Sequence, residues 1–321
     1  MTSKDMLKTI WNILLCLLTI FPINGHTESD ASCPLALIKP TSETINTAIL
    51  NAKDHGFLWK ISKQGHTSYL YGTIHVAKFD WMFPGFHIRQ AIDASDTMAL
   101  ELDLMNNDIQ SRITKGMETI NANIISTDLV SQIKQLAISE CVPYEALVKM
   151  SPEFQVMTLQ LQSYRKDQLE TSYAIDGMLS ELGHNLKKVV VSLETPEMQI
   201  DLMQMKTRQE TTTFVEEGLF ELKSGHDRKT INRIANIWSK SDYDEINHYL
   251  DWCECQKTEF DRKFMKRILD DRNPSIADHI DALHEGGKQV FAAVGTLHMI
   301  GPNGLPALMV LRGYTVERVA F

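Results

Sequence analysis

The chain has 321 residues, of which 43% are hydrophobic and 23% charged, and its formal net charge is -9 at pH 7. That length and balance allow a large buried core and exclude a low-complexity or disordered chain. The acidic sign, with no basic run behind it, excludes nonspecific nucleic-acid binding, which needs a basic face.

Lys4 and Lys8 precede an apolar stretch from Ile10 to Ile23, and a polar segment with small residues follows. This is the layout of a secretory signal peptide, here over residues 1–25. A bilayer span needs about 20 apolar residues, and this stretch is shorter and contains Asn12 and Pro22. Cleavage and export to the periplasm are therefore expected, with no stable membrane span in the mature chain; an uncleaved anchor is the alternative. Residues 26–44 read as a polar linker. Without Cys16 the chain keeps Cys33, Cys141, Cys253 and Cys255, an even number that permits two disulfides in any of the pairings four cysteines allow. Cys253-Glu254-Cys255 lacks the two-residue spacing of zinc knuckles and thioredoxin-like sites, so structural disulfides or buried thiols are the expectation.

From residue 45 to 321 the pattern is that of one α/β domain. Phe57–Ser62 and Ser68–Ile74 predict a hairpin turning at Gly65. A short helical stretch at Ile88–Ala94 and a strand at Thr97–Leu102 follow, the order of a βαβ unit. Residues 106–186 read as a helical insert. Lys187–Leu193 is a continuous β-branched run, which predicts a central strand covered on both faces. Thr195-Pro196 opens a helix as N-cap and first turn. Helices then dominate: Ile231, Ile234, Ile237 and Trp238 form one apolar stripe, and Phe260, Phe264 and Ile268 another. The second of these ends near Asp271, with Asn273-Pro274 as N-cap and first turn of the next. A strand at Gln289–Leu297, a helix at Leu305–Arg312 and a strand at Tyr314–Val319 close the chain. The fold class is α/β: a mixed sheet built from N- and C-terminal strands, with a helical middle region packed over it.

Two copies of a Gly-Thr-hydrophobe-His pattern, Gly72-Thr73-Ile74-His75 and Gly295-Thr296-Leu297-His298, each end a predicted strand. Alternation puts Tyr69, Tyr71, Thr73 and His75 on one face, and Val290, Ala292, Val294, Thr296 and His298 on one face of the other strand. Both histidines thus fall just beyond strand ends, where ligands bind in open α/β sheets. The motif glycines Gly72 and Gly295 permit close approach of backbone or ligand. Imidazole is the commonest metal ligand and also serves as a general base. The remaining histidines have no ligand spacing, and HExxH, a nucleophile elbow, a Walker loop and GxGxxG are absent.

These motifs, with the stretches between them, resemble the TraB/GumN family, which includes the Tiki proteases and is distantly similar to the erythromycin esterases. The likeness runs from about Phe57 to Val319. It rests on both histidine motifs, Leu100-Glu101-Leu102-Asp103, Ile175-Asp176-Gly177, Ser192-Leu193-Glu194-Thr195 with Gln199, Arg272-Asn273, and the tail VGTLHMIGPNGLPALMVLRGYTVERV. The resemblance implies a metal-dependent hydrolase, metalloprotease-like, acting on a peptide or a small amide or ester. A divalent ion, manganese, cobalt or zinc, would be held by His75, His298 and Glu101. Glu101 ends the strand that follows His75, so a βαβ crossover would set it beside that imidazole, as ligand or general base. Arg272, in a break between helices, would stabilise an oxyanion. Glu194 is a second strand-end carboxylate, and Asp176 and Gln199 are weaker candidates. The competing reading is a noncatalytic periplasmic protein that holds haem, metal or a signalling peptide in the same crevice.

Overall fold

Gln64 and Gly65 join the first two strands, β1 (Phe57–Lys63) and β2 (His66–Thr73), with Lys63 opposite His66. Both turn residues have positive φ, as a two-residue type I′ hairpin requires. The computed structural model of the chain describes Cys33 and residues 40–118, 124–253, 255–256 and 258–321. The expected signal segment, residues 1–25, lies outside the described residues, as does most of the linker. Among the described residues no helix is long and apolar enough to cross a membrane. Cys33 bonds to Cys141 and Cys253 to Cys255.

The hairpin joins β3 (Thr97–Leu100), β4 (Val189–Ser192), β5 (Val290–Gly295) and β6 (Thr315–Val319) in one mixed sheet of order β4-β3-β5-β2-β1-β6. Strands β4, β3, β5 and β2 run parallel, while β1 is antiparallel to both β2 and β6. Chain order and spatial order part at the middle: β2 leads on to β3, yet β5, from near the other end of the sequence, fills the place between them. Every residue of β5 is buried, as a strand with neighbours on both sides and helices over its faces demands.

The expectation for β4 is corrected. It is an edge strand; Val189 is 51% exposed and Val190, Val191 and Ser192 are only half-buried. Its β-branched run packs against one helix, Ile175–Asn185, where Gly183 lets Val190 and Met98 come close. Among the described residues β4 pairs with β3 alone, so its other edge has no strand neighbour. The helical middle has its own apolar cluster, in which Ile133, Leu147, Val156 and Leu159 meet Val215 and Leu219 of the later helix Arg208–Ser224.

Thr195 accepts from the Met198 amide as N-cap, with Pro196 in the first turn, as expected. Of the two apolar stripes, Ile234, Ile237 and Trp238 reach the core of helix His226–Ser239. The Phe260, Phe264, Ile268 stripe does not: helix Glu259–Met265 buries no residue, and Phe260 and Phe264 stack on one another. That helix continues as a π-helical turn, Lys266–Asp270. Asn273 is the first residue of helix Asn273–Glu285 rather than its N-cap, which is Arg272. Asn273 does no capping because its amide is used elsewhere.

Trp238 ties a covering helix to the sheet. Its indole is fully buried, and Nε1 donates to the Gly72 carbonyl at 2.8 Å. On the other side of Gly72, a Cβ would come within 2.9 Å of Thr296 Oγ1 and 3.3 Å of its Cα. Gly72→Ala is therefore expected to cost about 1–3 kcal/mol by overpacking. Gly177→Ala, where a Cβ meets nothing within 4 Å, should be neutral or stabilising by up to about 1 kcal/mol through helix propensity. Urea denaturation of the two variants checks the contrast.

Candidate active site

The four parallel strands end at one edge of the sheet, and the chain continues from those ends into His75, Glu101, Glu194 and His298. Backbone pairing continues past β3 and β4: Leu193 N–H donates to Leu100 O, and Glu194 N–H to Glu101 O at 3.1 Å. The two carboxylates are thereby set side by side. The interruption of chain order between β2 and β3 is a topological switch point, the place where open parallel sheets bind ligands.

Strand phasing does not bring the two histidines together in the way their repetition suggests. Thr73 pairs with Gly295 in the parallel register, so the two motif copies are one residue out of step. The Tyr71, Thr73 face of β2 matches the Ala293, Gly295 face of β5, and Thr296 lies on the opposite side, over Gly72. A 3-10 turn at Thr296–Met299 then carries His298 to the site. The convergence is nevertheless real. A Cβ placed on Gly295 would lie 3.3 Å from Glu101 Oε1, 3.4 Å from His75 Nε2 and 3.6 Å from His298 Cδ2. Three side chains from three strand ends surround one glycine, and its missing side chain leaves the space between them.

Each histidine is fixed through Nδ1. His75 Nδ1 lies 2.8 Å from Asp176 Oδ2, and Thr73 Oγ1 donates to the other carboxylate oxygen at 2.6 Å. His298 Nδ1 lies 2.6 Å from Asn273 Oδ1, and the Asn273 amide donates to Asn303 O at 2.8 Å. Both rings are thus oriented with Nε2 away from their partners. Their electrostatics differ sharply. The Asp176 carboxylate raises the His75 pKa to about 9, against the opposing pull of desolvation. Burial lowers that of His298 to about 4, helped by Arg272 and only partly countered by Glu101. His75 opens outward, with 64% of its side chain accessible, whereas His298 is 3% exposed.

Glu101 accepts from the Gly295 amide on Oε1 at 2.7 Å, and from Arg272 Nη2 and Gln199 Nε2 on Oε2 at 2.6 and 3.0 Å. Burial works to raise its pKa, but His75, His298, Arg272 and the Gly295 amide outweigh it and hold the carboxyl well below the usual range. Arg272 grips Glu194 with Nε and Nη2 at 2.9 and 2.5 Å, and Nη1 donates to Ile268 O in the π-helical turn. Gln199 also donates to Glu194 Oε2 at 2.9 Å. Such a π-turn, placed directly before Arg272, is a form often found at functional sites.

The sequence candidates therefore divide into layers. His75, Glu101 and His298 meet around Gly295, and Arg272, Glu194 and Gln199 form a more deeply buried network that holds Glu101. Asp176 stands behind His75, while Gly72 belongs to packing rather than to the site. Sequence reasoning named neither Thr73 nor Asn273 as a site residue, reading Asn273 as an N-cap. Asn273 had a signal in its place beside Arg272, and Thr73 in ending the strand two residues before His75.

Among the described residues no three His, Cys, Asp or Glu side chains stand close enough together to form a metal cluster. The donor chemistry around Gly295 is nonetheless that of a divalent-cation site: two imidazoles whose Nδ1 atoms are held by oxygen partners, one carboxylate, and a cradle a Cβ would fill. The residue types fit such an ion, while the side chains as placed do not form a metal-ligand group.

Fold and site together define an α/β protein with a histidine–carboxylate centre at the switch point of a mixed sheet. The chain belongs to the TraB/PrgY/gumN family, whose sequence model matches residues 57–318. No curated protein and no solved structure matches it.

Arg272 is 8% exposed and compensates two buried carboxylates. Arg272→Met should cost about 3–5 kcal/mol, because it strands that charge. Adding Glu194→Gln to Arg272→Met should restore part of the loss, a coupling read by a double-mutant cycle in denaturant. Arg272→Lys should not substitute, since an ammonium cannot fork across both carboxylates.

Proposed function

We propose that this protein is an exported hydrolase that cleaves a peptide or amide-like bond with water, using a divalent ion held by His75, His298 and Glu101. The observation that carries the reading is the approach of those three side chains to the space over Gly295. Family membership supports it at the level of the family. A bound divalent ion supplies Lewis-acid polarisation of the scissile carbonyl and a more acidic water.

The chain's own groups provide the rest. Asp176 and Asn273 hold the two imidazoles by Nδ1 and so direct Nε2 of each to the same space. Glu101 offers Oε1, the oxygen bonded to the Gly295 amide and facing the cradle, to the ion or to a proton of the attacking water. Arg272 has its fork occupied by Glu101 and Glu194; the second N–H of Nη1, beside the one given to Ile268 O, is the donor left for a developing oxyanion. Glu194 and Gln199 are positioning residues in this scheme. With 1% of its side chain exposed, Glu194 is too enclosed to meet substrate. His75, on the open side, faces the route by which a substrate carbonyl arrives.

Metal content of the purified protein, and cleavage of a peptide library with and without chelator, test this reading. The expected result is about one equivalent of manganese, cobalt or zinc and cleavage that chelator abolishes. His75→Ala and His298→Ala should lose both. Absence of divalent-metal uptake and of cleavage would overturn the proposal, and tight ligand capture without turnover would favour a binding protein.

Gly295→Ala gives a sharper check. Its methyl would enter the cradle at 3.3–3.6 Å from Glu101, His75 and His298. Stability should change by less than about 1.5 kcal/mol, since small side-chain shifts relieve the contact. Metal uptake and turnover should fall by at least tenfold, as measured by titration calorimetry and initial rates.

A further inference from the structure

A cavity of about 260 Å³ lies away from the histidine centre and shares no lining residue with it. It opens between helix Ser42–Leu50, the turn Phe79–Met82, helix Phe86–Asp93 and helix Ile175–Asn185. Its walls are apolar, with Ile49, Phe83, Ile92, Met178 and Leu182 prominent. An apolar cavity of about 150 Å³ accepts a benzene ring, so this one has room for a ring and a short chain.

One wall carries Glu181. The residue is 6% exposed, and its Oε1 has no hydrogen-bond partner among the described residues. Asn185, one turn further on the same helix, is the polar side chain that bonds to this carboxyl group. A buried carboxyl oxygen without a donor is costly, and folded proteins carry few. The other charged residues on the lining are Arg89 and Asp93, both exposed and opposite in sign. They offset one another, which leaves Glu181 as the uncompensated group.

We propose that this cavity is a binding site for a small hydrophobic amine, its apolar body held by Ile49, Phe83, Ile92, Met178 and Leu182 and its ammonium donating to Glu181 Oε1. An ammonium–carboxylate hydrogen bond is charge-assisted and about twice as strong as a neutral one. An anion of the same shape would meet the carboxylate and be rejected. The site is independent of hydrolysis at the histidine centre.

Burial raises the Glu181 pKa from 4.5 to about 7. Between those values the folded chain keeps a proton that the unfolded chain has lost, so the contribution of Glu181 to stability declines as pH rises through that window. Arg89, Asp93 and Asn185 are the charged and polar groups that share the cavity with it. Amine binding accordingly strengthens toward pH 8, where the carboxylate is ionised.

Isothermal titration calorimetry on the purified protein at pH 8 provides the test, with 4-phenylbutylamine, 4-phenylbutan-1-ol and 4-phenylbutyrate as probes. One saturable site is expected, the amine binding at least tenfold more tightly than the alcohol, and the carboxylate not at all. Glu181→Gln should bring the amine down to the level of the alcohol and leave the alcohol within about threefold, consistent with loss of the charge-assisted bond. The same variant should flatten the fall in Tm between pH 5 and pH 8, which reports on Glu181 without any ligand. Ala52→Trp, at the cavity lining, should block all binding by filling it. Failure of the amine to saturate, equal binding of the carboxylate, or full amine affinity in Glu181→Gln would overturn the proposal.

Discussion

The Arg272 guanidinium between Glu101 and Glu194 is the interaction on which the site depends. Two buried carboxylates side by side at the ends of β3 and β4 would repel each other and favour protonation. One planar cation, entering from a break between helices, bonds to both. Because burial and charge are balanced within this cluster, Glu101 can be held at a fixed angle beside the Gly295 amide. The arrangement is expensive in desolvation, and it yields position rather than net stability.

Around this fixed carboxylate the two histidines are unlike, despite their matching motifs. One is held by an aspartate and faces outward; the other is buried and held by a neutral amide. The difference follows from the one-residue slip between the copies. After β2 the chain bends directly into His75, which shares Asp176 with Thr73, whereas after β5 a 3-10 turn intervenes. Thr296 is left pointing at Gly72, its Oγ1 buried without a hydrogen-bond partner among the described residues. Repetition in sequence therefore produced two different chemical environments within one centre.

Much of this was legible from residue order. Alternation and turn residues located the hairpin, β3, β5 and the final strand, and the glycines marked where strands end. The strand-end histidines and Glu101 followed from those limits. Sheet order did not follow, because a β-branched run reads alike whether one neighbour covers it or two; β4 was misplaced for that reason. Register was also hidden, since pairing between Thr73 and Gly295 is a property of two distant segments. The same distance concealed the roles of Asp176, Gln199 and Asn273. Each is a common polar residue at or near a helix start, and its partner lies far away in the sequence. The even cysteine count allowed two disulfides without choosing between pairings, and Cys33–Cys141 closes a span of 108 residues.

The placement of β5 in the sheet bears on how this molecule comes into being. The strand that completes the centre, between β3 and β2, is the last but one in the chain. A ribosome delivers β1 to β4 first, and none of them can close the gap. Until β5 arrives, β2 and β3 present open edges to each other, and Glu101 lacks the amide that anchors it. Such long-range pairing is slow to form. Assembly of the centre is thereby delayed until synthesis is almost complete, and a prematurely terminated chain would carry one histidine and the carboxylates but no assembled centre.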